Sequence, residues 1–187
     1  GTPEIAQFIL NQYPFIRDLI EPNKLYREII ASANIDMISW ALNTFPIIRA
    51  NYYVFQNEFW NLCRKNEARI VQFIYMFDKN HPPSIDFTSS QNREELRKII
   101  RFGYANNLNL IIWLVENVIA GIDDAERKNN YIKNILPNTV FRQICHRGNL
   151  LAVIWAYDLN KNNLNIQNGY LITSLLYENQ FSIVDWI

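Results

Sequence analysis

Apolar residues recur along this chain with the spacing i, i+3, i+4. Five such groups stand out: Tyr26/Ile29/Ile30, Phe59/Leu62/Cys63, Ile99/Phe102/Gly103, Phe141/Ile144/Cys145 and Ile172/Leu175/Leu176. That spacing is the stripe of an amphipathic helix, so each group predicts a helix with one face buried. Each is followed by a short polar link ending in Ala33, Asn66, Asn106, Gly148 or Asn179. Gly and Asn tolerate the left-handed backbone that closes a helix, so a tight turn is expected at each link. Beyond each link a second segment begins, apolar around most of a helical circumference and so expected to lie between neighbours.

These second segments align without gaps: "NIDMISWAL" (34–42), "EARIVQFIY" (67–75), "NLNLIIWLV" (107–115), "NLLAVIWAY" (149–157) and "QFSIVDWI" (180–187), with "TPEIAQFIL" (2–10) in the same frame. The aromatics in register are Phe8, Trp40, Phe73, Trp113, Trp155 and Trp186, separated by 32, 33, 40, 42 and 31 residues. Four of the five tryptophans share one position, so the unit is a true internal repeat. One pair of helices cannot bury both of its apolar surfaces, whereas stacked pairs share a continuous core. The expected fold is all-α, a solenoid of stacked antiparallel helix pairs in one domain over 1–187. It comprises a half repeat at 1–20 and repeats at about 21–53, 54–90, 91–136, 137–168 and 169–187. Thr2 and Pro3 are placed to start the first helix. Neither end reads as a polar capping repeat, so a piece of a longer array is expected.

The two long intervals point to insertions at 78–95, which contains Pro82–Pro83, and at 117–138. Proline excludes regular helix through the first. The second has helical spacing in "DDAERKNNYIKNIL", with Asp123 or Asp124 as N-cap, and predicts an extra short helix. Both are expected to project on one side as tolerated insertions.

The stretch "ICHRGNLLAVIWAY" (144–157) resembles the ankyrin-repeat core, with Gly148 and Asn149 at the family's Gly-His positions. The Trp-bearing second helix is similar to the divergent ankyrin repeats of large DNA viruses and intracellular bacterial effectors. The resemblance spans almost the whole chain. It implies a protein-binding module, and, for an effector, action in host cytoplasm. The Thr-Pro-Leu-His opening is absent, and five glycines are too few for glycine-bearing hairpin fingers in every repeat.

Charge alters this picture only locally. Lys+Arg and Asp+Glu number 18 each, so net charge offers no reason to expect nucleic acid as a partner. The longest apolar stretch, about 108–120, is too short for a transmembrane span. Cys63 and Cys145 are far apart and occupy one repeat position, which reads as a core slot. With His81 and His146 the remaining soft ligands, no spacing suggests a metal. Cys145 and His146 are adjacent, so on a helix their side chains diverge. No phosphate loop, nucleophile elbow or zinc-protease motif occurs, and no catalytic residue, cofactor or small-molecule substrate is expected.

The first helices carry the one suggestive pattern. Their non-core positions include Trp60, Arg64 and Lys65, then Ile100, Arg101 and Tyr104, then Arg142, Gln143, His146 and Arg147. In ankyrin stacks such positions line the concave side. Arginine beside aromatics is the composition of binding hot spots. Trp60, Arg64, Lys65, Arg101, Tyr104, Arg142, His146 and Arg147 are therefore the expected contacts to a protein partner with an acidic surface. Two further readings are a targeting part of a larger enzyme and phosphate binding by the basic stripe.

Overall fold

A computed structural model describes residues 2–50, 52–80, 85–102, 107–166 and 169–187, with the backbone alone at 49, 50, 52–54 and 102. Every regular element among them is helical. The backbone divides into two compact units, Gly1–Ile85 and Asp86–Ile187, with the boundary inside the first insertion.

The first unit contains α1 (Pro3–Gln12), α2 (Ile16–Leu19), α3 (Pro22–Ala31), α4 (Ile35–Thr44), α5 (Ile47–Ala50), α6 (Tyr52–Lys65) and α7 (Ala68–Asn80). Helix α3 pairs with α4, and α6 with α7, in the order the repeat requires. Tyr26, Ile29 and Ile30 on α3 and Phe59, Leu62 and Cys63 on α6 are all buried. Tyr26 stacks on Phe55, with ring centroids 5.9 Å apart. In the second helices, the Trp40 indole N–H donates to Gln7 Oε1 at 3.0 Å, tying α4 to α1. Trp113, Trp155 and Trp186, like Trp40 and Phe73, are half-buried, while Phe8 on α1 is 62% exposed.

The second unit contains α8 (Ser90–Phe102), α9 (Leu108–Ala120), α10 (Ala125–Ile135), α11 (Asn138–His146), α12 (Leu150–Asn160), a 3-10 turn (Lys161–Asn163), α13 (Gly169–Tyr177) and α14 (Phe181–Trp186). The first helices form one layer, α8 against α11 and α11 against α13. Helix α12 pairs with α11 and packs on α14, where Tyr157 meets Trp186 edge-on at 5.3 Å. Phe141, Ile144 and Cys145 are buried as their spacing requires. The last group differs. Leu171 and Leu175 fill the core of α13, and Leu176 is exposed, because the buried stripe is set one position earlier there.

Left-handed links close the pairs. Ala33, Asn66 and Asn179 have φ of 53°, 59° and 58°, and Gly148 has φ of 75°. At Asn66 the Glu67 N–H donates to Leu62 O and the Asn66 N–H to Cys63 O, at 3.1 and 3.2 Å. Gln180 and Asn179 repeat that arrangement on Leu175 and Leu176. These paired bonds satisfy carbonyls that a helix end otherwise leaves open. Asn34 and Asn149 then start the following helices, their side chains accepting from Met37 N and Ala152 N at 3.0 and 3.2 Å. Asn106 lies outside the described residues. Thr2 occupies the N-cap of α1 without its side chain accepting from a backbone N–H of the helix.

The insertions depart most from expectation. Residues 78–80 and 90–95 belong to helices, and Pro82–Pro83 lie outside the described residues. Asp124 caps α10, accepting from Arg127 N at 2.6 Å, so the extra helix forms where its signals place it. It does not project as a loop. Tyr131, Ile132, Ile135 and Leu136 are buried, and α10 packs against α8, α9 and α12. Four apolar residues buried at about 1.5–3 kcal/mol each make this insertion part of the core.

Candidate functional site

On α11 the burial of Val140, Phe141, Ile144 and Cys145 leaves Arg142, Gln143, His146 and Arg147 on the other side of the helix. Arg142, Gln143 and His146 are half-buried and Arg147 is exposed. Arg142 aligns with Trp60 and Ile100 in the repeat, and both of those are fully buried. The same position carries Arg27 in α3 and Thr173 in α13, both exposed, so its burial varies from repeat to repeat and Arg142 lies between the extremes. Its Nε is buried without a hydrogen-bond partner among the described residues, and so is Gln143 Oε1. The fold leaves one donor and one acceptor unsatisfied at adjacent positions on one helix.

His146 Nδ1 lies 2.6 Å from Glu178 Oε2, beyond the end of α13. This contact joins the ends of neighbouring first helices and is an ion pair when the imidazole is protonated. One acid therefore does face the basic stripe, Glu178, contributed by the next repeat at the position equivalent to Arg147.

No family model, curated protein or solved structure matches this chain.

The other expected contacts divide between the two units. Trp60, 2% exposed and edge-on to Phe59 at 5.2 Å, is a core residue and no surface anchor. An aromatic at the margin of a helical stripe reads as exposed only if the stripe is narrow. Here α5 and α7 flank α6 and widen it. Arg64 and Lys65 are exposed at the end of α6, with Arg64 Nη1 donating to Asn61 Oδ1 at 2.8 Å. Arg101 is half-buried near the end of α8, and Tyr104 lies outside the described residues. Within the second unit Arg142 and His146 stand one turn apart on α11, Arg147 follows as its C-cap, and Arg101 lies on α8, which packs against α11.

Burial accounts for both thiols. Desolvation holds Cys63 above the ordinary thiol range and pushes Cys145 up to about 12, so neither is a ready nucleophile. Among the described residues no three His, Cys, Asp or Glu side chains converge as metal ligands. None of their helices is long and apolar enough to cross a membrane.

Proposed function

We propose that this chain is a non-enzymatic protein-interaction module, a divergent ankyrin-like solenoid whose α8–α11–α13 face takes an acidic segment of a partner. The observation that supports this reading most is the unsatisfied pair on α11, Arg142 Nε and Gln143 Oε1. A buried polar group left without a partner costs roughly 1–3 kcal/mol. An arriving carboxylate would meet the guanidinium fork in two parallel bonds, the geometry arginine serves best. Gln143 would take a backbone N–H of the same segment. Arg147 and Arg101 would add steering, which favours fast encounter with acidic surfaces. The resemblance to viral and bacterial repeats makes host cytoplasm the proposed setting.

The test compares wild type with a folded Arg142→Glu/Arg147→Glu variant in affinity capture from eukaryotic cytosol. A partner retained by the first and lost by the second supports the reading. Equal recovery rules out the basic face. Capture by polyphosphate beads with a steep salt dependence would transfer the face to phosphate recognition.

A further inference from the structure

The two stretches that break the repeat period meet in the second unit. From the first insertion comes the turn 86–89, held by Asp86 Oδ1, which accepts from the Thr88 N–H at 2.9 Å and its hydroxyl at 2.6 Å. From the second come the link Gly121–Asp124 and helix α10. The Tyr131 hydroxyl on α10 donates to Phe87 O at 3.2 Å. Arg97 on α8 donates through Nε and Nη2 to Asn134 O at 3.0 and 2.7 Å, fixing the other end of α10. Between these ties opens a cleft of about 570 Å³. That volume lies within the range of small-molecule sites.

The polar groups of its wall divide into two sets. Asp124, Tyr131 and Thr88 are engaged by the bonds that build the cleft. The side chains of Arg93, Asp123 and Arg127 also line it, and make no hydrogen bond or ion pair among the described residues. Two guanidiniums and two carboxylates share one concavity with no ion pair between them. Two arginines call for an anionic group. Asp123 and Asp124 beside them disfavour a multiply charged phosphate and favour a cationic centre in the same molecule.

We propose that the two insertions together build a second binding site, for a dipeptide-sized zwitterion. Its carboxylate would lie on Arg93 and Arg127 and its ammonium on Asp123. Every wall of this cleft except α8 comes from an insertion, so it is built by the two departures from the repeat period. This site is independent of the α11 face, and either can fail without the other.

The test is an amide chemical-shift titration of the full chain with alanyl-glutamate. The expected result is saturable shifts confined to residues 86–89, 121–127 and 131, with a Kd of about 1 mM or tighter. Arg93→Gln and Arg127→Gln should each weaken binding tenfold or more. The side chain of Arg93 makes no hydrogen bond or ion pair among the described residues, so a spectrum of Arg93→Gln that keeps the dispersion of wild type serves as the folding control. N-acetylation of the dipeptide should weaken its binding to wild type and leave binding to Asp123→Asn unchanged. A decapeptide with the same first two residues separates the sources. Equal affinity identifies a protein chain end as the ligand, and weaker affinity a free small molecule. No saturable shift at about 10 mM dipeptide, ten times that Kd, would overturn the proposal. So would wild-type affinity in Arg93→Gln, or equal binding of the acetylated form to the wild-type chain.

Discussion

Gly148→Ala tests how the helix pairs are closed. Gly148 sits at φ 75°, where a Cβ would lie 2.5 Å from Gln180 Oε1 and 2.9 Å from its Nε2. Three effects contribute. The left-handed backbone costs an L-residue about 1–2 kcal/mol. Lower entropy of the unfolded chain returns about 0.4–1 kcal/mol. Moving the Gln180 side chain off its preferred rotamer costs about 0.5–1.5 kcal/mol. The expected net loss is therefore about 1–2 kcal/mol, read from urea unfolding followed by tryptophan fluorescence and circular dichroism. Ala33 occupies the equivalent link at φ 53°, so the backbone alone is tolerable and the steric part is specific to Gly148. A Gln180→Ala background should remove that part and reduce the cost of Gly148→Ala to below about 1 kcal/mol. Identical costs in both backgrounds would refute the steric argument. A neutral Gly148→Ala with Gln180 present would refute the whole account of the link.

Ala33→Gly should act in the opposite direction, stabilising by about 0.5 kcal/mol as left-handed strain is relieved against higher unfolded-state entropy; a lower urea midpoint would contradict it. Arg142→Leu should stabilise the chain by about 1 kcal/mol, because it removes a half-buried guanidinium with an unsatisfied Nε, and should abolish capture of an acidic partner. A variant that is destabilised yet still binds would be inconsistent with both roles. Alkaline pH should weaken the fold. Between the ordinary thiol value of 9.0 and about 12, unfolded Cys145 loses a proton that the native state keeps. Stability should then fall by about 1.4 kcal/mol per pH unit for that thiol, and Cys145→Val should flatten the slope. An unchanged slope would show that the thiol is not desolvated. Tyr131→Phe should cost about 1 kcal/mol and speed amide exchange in the 86–89 turn; unaltered exchange there would mean that the hydroxyl does not hold it.

The local pieces of this fold are legible in one sequence because each depends on neighbours only a few residues away. The i, i+3, i+4 stripes of α3, α6 and α11 are buried as read, since helical periodicity fixes which side chains share a face. The links at Ala33, Asn66, Gly148 and Asn179 are left-handed as read, and Asp124 caps α10, because turn and cap chemistry act within three or four residues. Tertiary structure decided what lies at the margin of each stripe. Trp60 and Ile100 became core and Arg142 stayed half-buried at the same repeat position, since burial there is set by the neighbouring helices. It also brought His146 to Glu178 across 32 residues, and seated α10 in the core with Tyr131 against Phe87. The first contact spans one repeat period, but which side chains meet across it, like the meeting of Tyr131 with Phe87, was decided only in the folded chain.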